Sequence, residues 1–398
     1  MLLDRIHFHI APPREIGALS ITLALQYFAG GLVSVFVPVL FWRSGFSLAS
    51  ILFFYLLSSL AFVALTFLFL PLIERLSDKM MMFLSVPPLV FYFLGLKYVA
   101  DSPALFFALP VLLAVSTLLF NVGYNLAFSR SSEDGKIGRE IGTRDALTSL
   151  VQFVAPLFGG LLISTVGFQY TFFIVAIILV LSVLPLFAFP RRTLESHSTR
   201  LEIVKYMGRP ALQYFNVSGI GYAMEAAVGG VLWPLFVYLA VGSVRDLGGV
   251  ISAGLFAAAI VTIFVGFLSD AGRRRSILAW STVLYAFVYA TRIALVRPAL
   301  VVASHVAGGV AYAALMVAWT SEFYKITRAI PDSSHFILSQ QVLYQIARAA
   351  FLVVLIVLAN VLGQNVFFSV TFGFTSLVVL LFLAANRFHV SSLAAKKS

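Results

Sequence analysis

The chain has 398 residues, 61% of them hydrophobic and 11% charged, with a mean hydropathy of +1.00; soluble domains carry roughly 25% charged residues, so a water-soluble globular protein is excluded. The net charge of +11 falls in short loops between apolar runs, where it sets membrane orientation, and no RNA or DNA partner is expected. With no cysteine and six histidines, disulfides, thiolate nucleophiles and Cys-containing zinc sites are ruled out, and neither a metal nor a cofactor is expected.

In chain order, apolar runs bounded by charges or helix breakers predict membrane spans over 17–41, 47–70, 80–98, 103–128, 142–166, 168–189, 210–239, 247–268, 276–296, 298–323, 336–362 and 364–386. Each is close to the ~20 residues that a helical crossing needs. The start, MLLDRIHFHIAPPREIG, has charges on both sides of its short apolar stretches and no cleavable signal pattern, so the first run is expected to stay as a helix. The polar stretch PRRTLESHSTRLEIVKYMGRP at 190–210 follows the sixth run. It predicts an all-helical membrane protein of two six-helix bundles, over 1–190 and 210–398, joined by a linker at 191–209.

Of the 27 Lys and Arg, 21 lie in the even-to-odd connections and the termini. Four, Arg43, Lys97, Arg245 and Arg297, lie in the odd-to-even connections, and Arg292 and Arg348 lie within spans. That asymmetry predicts both termini in the cytoplasm, for a chain in the plasma membrane. An internal repeat supports the division into halves. Leu76-Ser77-Asp78 follows span two as Leu268-Ser269-Asp270 follows span eight, and the Val166–Phe173 run before span six resembles Leu362–Phe368 before span twelve. Paired halves with a midplane site between them are a usual construction of secondary transporters.

The loop after span eight, Gly266-Phe267-Leu268-Ser269-Asp270-Ala271-Gly272-Arg273-Arg274-Arg275, resembles the Gly-x-x-x-Asp-(Arg/Lys)-x-Gly-(Arg/Lys)-(Arg/Lys) signature of the major facilitator superfamily. It keeps Gly266, Asp270, Arg274 and Arg275, while Ala271 replaces the first basic residue and the inner glycine comes one position early. In the copy after span two, Asp78 and Lys79 are kept, Glu74 stands at the glycine position, and Met81-Met82-Phe83 replace the rest. Ala155-Pro156-Leu157-Phe158-Gly159-Gly160 is similar to that family's Gly-Pro-x-x-Gly-Gly element of exporters and antiporters, with alanine for the first glycine. The resemblance implies twelve helices around a central cavity lined by spans 1, 4, 7 and 10, flanked by 2, 5, 8 and 11. It also implies that Asp270 faces the start of span five near Gly142 and Thr143, bridging the halves. Independently, a carboxylate at such a turn caps helix-start N–H groups, and neighbouring arginines meet helix carbonyls or lipid headgroups; a basic loop that only fixes orientation has the same composition.

Ionisable groups within spans are costly and point to mechanism. Glu225 is the only acid, and Arg348 the only basic residue, near the middle of a span, while His305 lies in the outer third of span ten. One reading pairs Glu225 with Arg348 structurally. The other makes Glu225, with His305 in reserve, the proton-coupling group, and Arg348 either a substrate anchor or a charge competing for Glu225; a guanidinium suits carboxylate or phosphate. Ser218, Tyr222, Glu225 and Gly229 fall at helical steps on span seven, and Gln341, Gln345 and Arg348 on span eleven.

The N-terminal half offers amides for substrate binding: Asn121 and Asn125 with Thr117 on span four, Gln26 beside Tyr27 on span one, and Gln152 on span five. Bonds between helices explain the same amides. Trp42 and Trp233 are expected as anchors near the outer interface, and Trp280 and Trp319 near the inner one. Gly219, Gly221, Gly229, Gly230 and Pro234 give span seven weak points.

The expected function is therefore secondary transport of a small organic solute by alternating access, proton-coupled and exporter-like, in a monomer embedded in the bilayer. No ATP-binding loop is present, and no enzyme is expected: the densest acids, Glu133, Asp134 and Asp145, sit among Arg130, Lys136, Arg139 and Arg144 and read as a solvated loop. A lipid flippase or a non-transporting sensor of the same fold is the alternative.

Overall fold

A chain this apolar must satisfy its backbone hydrogen bonds without water, and it does so with helices. The computed structural model describes residues 14–73, 75–131, 137–188, 200–268, 273–295, 297–330 and 333–388, and among these there is no strand. The first crossing is α1 (Arg14–Val33), a 3-10 turn at Ser34–Phe36 and α2 (Val37–Arg43). Then come α3 (Leu48–Ile73), α4 (Asp78–Leu96), α5 (Pro103–Ser131) and α6 (Ile137–Leu181). The fifth and sixth crossings share α6, because the chain reverses at Gly167 with φ 85° and ψ 170°, a conformation that glycine alone adopts readily. The linker helix α7 (Arg200–Met207) follows. Next are α8 (Gln213–Ala227) and α9 (Trp233–Val241), joined by a π turn at Val228–Leu232. The weak points expected on span seven thus take a definite form, since Gly229 and Gly230 lie inside that turn.

The remaining helices are α10 (Val244–Leu268), α11 (Arg274–Arg292), α12 (Pro298–Ala329), α13 (Ser333–Val361) and α14 (Gln364–Val379), which continues as 3-10 helix to Arg387. Among the described residues, ten helical stretches are long and apolar enough to cross a membrane. One of them contains the Gly167 reversal and holds two crossings. The twelfth crossing is α11, which is less apolar because arginines mark its ends and Ser281, Thr282, Tyr285 and Tyr289 form a buried stripe.

Loops and caps alternate between a linker face, which carries α7, and a distal face, which carries the turns at Gly45, Gly167 and Gly242. At the linker face, Ser77 starts α4 by accepting from the Met80 N–H at 3.2 Å, and the Asp78 carboxylate accepts from the Lys79 N–H at 2.7 Å. Both satisfy donors that a helix start leaves open. The linker helix is docked on α13, with Glu202 3.3 Å from His335 and the Tyr206 and His335 rings stacked at 6.0 Å. Ile203 also enters an apolar cluster with Phe62, Leu70, Met81, Leu338 and Val342.

N- and C-terminal halves meet along α6 against α10 and α3 against α13, and at the distal face α2 touches α9. Two tryptophans expected at the interfaces are instead in the core: Trp233 is 3% exposed and Trp319 4%, whereas Trp280 is 74% exposed. Each buried indole N–H has found an acceptor, Ser218 Oγ at 2.9 Å for Trp319 and His305 Nδ1 at 2.8 Å for Trp233. A satisfied N–H lets the large ring be buried rather than held at the headgroups.

Candidate functional site

A cavity of about 250 Å3 lies where α3, α5 and α13 converge. Its walls are Tyr55, Ser58 and Phe62 from α3, Leu113, Ala114 and Thr117 from α5, and Gln345 and Arg348 from α13. On α3 and α13 these positions are three or four residues apart, and on α5 Leu113 and Ala114 lie four and three residues before Thr117, so each set shares a face. Many hydroxyls elsewhere in the spans are spent on backbone carbonyls, as when Thr66 donates to Phe62 O at 2.8 Å. Around the cavity they are not: Arg348 Nε is buried with no hydrogen-bond partner, and the nearest ring to its guanidinium is Tyr55, at 5.9 Å.

Of the residues expected to bind substrate, the structure brings Arg348, Gln345 and the neighbouring Thr117 together at this cavity. Tyr222 is not among the lining residues; it is stacked on Trp319 at 5.0 Å and edge-on to Tyr344 at 5.4 Å. Gln341, Asn121 and Gln152 are half-buried outside the cavity lining. Asn125 donates to Asn121 O at 2.8 Å within its own helix, and Gln26 donates to Ser182 Oγ at 3.0 Å, tying α1 to the segment after α6. For Gln26 the structure therefore favours the bundle-holding role. Tyr55 and Ser58 are site residues that sequence does not single out; their signal is a polar pair three residues apart in an otherwise apolar span.

Glu225 does not pair with Arg348. It is buried and turned to α11, where its Oε1 accepts from Tyr285 Oη at 2.6 Å and from Tyr289 Oη at 2.9 Å. Its nearby cation is Arg292, which is buried between Trp233 and Tyr289, with ring centroids 3.6 and 4.3 Å from Cζ, and donates to Ser304 Oγ at 3.3 Å. Sequence places Arg292 within span nine but gives it no partner, because nothing in sequence shows α11 turning its polar stripe inward against α8. His305 is held on both ring nitrogens, accepting from Trp233 and lying 3.4 Å from Ile251 O. That is an interhelical clamp, and it leaves the ring no free nitrogen.

The signature loops are partly visible. Asp270 lies outside the described residues, as do the side chains of Gly142 and Thr143, so the expected cap is not described; Gly266 lies in the last turns of α10. Arg274 pairs with Glu322, a buried acid on α12, and the Arg275 carbonyl accepts from Asn386 Nδ2 at 3.0 Å. Lys79 Nζ sits 5.4 Å from the Phe187 ring centroid. Removing one member of a buried pair strands the other. Arg274→Ala is therefore expected to lower stability by ~3 kcal/mol, and the double replacement Arg274→Leu with Glu322→Leu to recover most of it. Thermal unfolding of the three variants checks this.

The helix-5 element has a direct packing role. A Cβ built at Gly159 would run into the Leu32 backbone carbonyl of α1, and at Gly160 it would meet Val244 O at 3.0 Å and Gly248 Cα at 3.2 Å. Pro156 O lies 2.5 Å from a Cβ built at Gly248. The element therefore sets two close helix crossings, one of them between the halves.

The Major Facilitator Superfamily family model matches residues 19–209. Over nearly the whole chain the fold matches a crystal structure of the nucleoside transporter NupG, with TM-score 0.68 at 12% identity, covering 94% of this chain and 100% of that one. The N-terminal half of the chain is thus similar to the major facilitator superfamily, and the chain as a whole shares the fold of NupG. An aspartate-to-alanine variant of NupG matches with TM-score 0.67 at 14% identity, covering 96% of this chain and 100% of that one. No curated protein sequence matches the chain. The described helices are those of a multi-pass membrane protein, and the twelve crossings are those of that fold.

Proposed function

We propose that this transporter moves a small organic solute by alternating access through the cavity between α3, α5 and α13. Glu225 is its proton-coupling group, and the linker face is cytoplasmic. The cavity carries the reading. Its walls come from both halves of the chain, so a solute held there is gripped by the two bodies, 1–190 and 210–398, that rock about it. Unpaired Ser58, Thr117, Gln345 and Arg348 face the same space. Contacts between α2 and α9 and between α6 and α10 support a state closed on the distal face. The Ala155–Gly160 element supports export, hence proton antiport, and the basic residues gathered at the linker face support its cytoplasmic placement. His305, engaged on both nitrogens, holds Trp233 in place beside Arg292.

The test uses the full chain in liposomes with a pH-sensitive dye inside and candidate solutes added outside. The set includes nucleosides, since NupG shares the fold. Solute-dependent proton movement that requires the protein is the expected result. A labelled solute that equilibrates without any proton movement would make the protein a uniporter. Reporter fusions after Ser198 and at the C-terminus are both expected to report cytoplasm.

A further inference from the structure

We propose that the solute is an organic monoanion, in its plainest form a carboxylate on a small apolar body, whose charge is neutralised by Arg348. This rests on the cavity being the solute site, as argued above. Arg348 brings a full positive charge into the bundle, and among the described residues no acid pairs with it and no acceptor receives its N–H groups. Glu225, the acid expected to balance it, is turned to Tyr285, Tyr289 and Arg292 instead. A buried cation without a counter-charge is expensive and persists where function requires it. What completes it must be an anion that comes and goes.

The rest of the lining fits the same ligand. Gln345, Ser58, Thr117 and Tyr55 can donate to the second oxygen of a carboxylate that Arg348 grips, and a planar guanidinium matches that geometry. Phe62, Leu113 and Ala114 form an apolar side against which a hydrocarbon or aromatic body packs. One cation matches one negative charge. The volume of about 250 Å3 admits a small organic acid and excludes a whole phospholipid. A neutral solute would leave the Arg348 charge uncompensated in its bound state.

The experiment measures thermal unfolding midpoints of the purified full-length protein and of Arg348→Met and Thr117→Val. The probes are benzoate, phenylacetate and hexanoate, each beside its primary amide, and uridine, all at millimolar concentration. At least one carboxylate is expected to raise the wild-type midpoint by a few degrees while its amide does not. Arg348→Met is expected to lose that shift, with affinity weakened roughly 10- to 100-fold, the scale of a hydrogen bond to a charged group. It is also expected to raise the ligand-free midpoint, because a stranded charge has been removed.

An amide or uridine that stabilises wild type and Arg348→Met alike, but loses its effect in Thr117→Val, overturns the anion and keeps the cavity. A solute whose effect survives both substitutions overturns the cavity itself. The absence of any carboxylate shift overturns the inference, and a fall in the ligand-free Arg348→Met midpoint would then make Arg348 a structural residue.

Discussion

Glu225→Gln is expected to abolish solute accumulation driven by a pH gradient while leaving solute exchange across the membrane close to wild type. The carboxylate Oε1 that accepts from Tyr285 and Tyr289 is matched by the amide oxygen of glutamine, so both hydrogen bonds and the packing against α11 survive. What disappears is the ability to gain and lose a proton. A pH difference of one unit is worth ~1.4 kcal/mol per proton, which at one-to-one coupling sustains about a tenfold solute gradient. The accumulation ratio should therefore fall from about ten to one. The readout is labelled solute in proteoliposomes with and without the gradient, alongside exchange with none imposed. Accumulation by the variant equal to wild type would remove Glu225 from the coupling step. The position of Arg292 adds to the expectation: its buried charge faces an ionised or a neutral carboxyl depending on that proton. The balance between α8 and α11 then changes without any movement at the solute cavity.

The second large effect is conformational. Gly248→Ala places a methyl carbon 2.5 Å from Pro156 O, where α10 crosses α6 at the distal face. The obstacle is backbone, so the helices must separate rather than a side chain move aside. Overpacking of this kind costs about 1–3 kcal/mol, which biases the two open states roughly 5- to 150-fold toward the one in which these ends part. Because the chain contains no cysteine, a lone Val37→Cys on α2, buried in wild type, reports the change through its labelling by an impermeant maleimide. Faster labelling with Gly248→Ala is the expected result. Unchanged labelling with a lowered unfolding midpoint would mean that the crossing is purely structural. The same substitution at Gly159 acts within the N-terminal half, against Leu32, and is expected to reduce stability without altering Val37 accessibility.

Much of this architecture is legible in the chain because a membrane imposes simple rules. Every crossing needs about twenty apolar residues in a helix, so the twelve runs and their punctuation carry the element order, and only the α6 reversal at Gly167 and the polar α11 blur the count. Rarity also makes charged residues within spans conspicuous. Glu225 and Arg348 stand out from sequence, as does the Pro156-Gly159-Gly160 element, whose small residues foretell close packing. Partners are another matter. Whether two groups at similar depth meet depends on how each helix is rotated about its axis, and that is set by packing among all its neighbours. For this reason Glu225 and Arg348, which sequence allowed to pair, face different helices. Arg292, which sequence placed within a span without a partner, became the cation beside Glu225, and Trp233 and Trp319 left the interface for the core once His305 and Ser218 could accept their N–H groups. The cavity had the same origin. Tyr55, Ser58, Thr117, Gln345 and Arg348 come from three helices in two halves of the chain, and only the convergence of α3, α5 and α13 turns five scattered polar residues into one site.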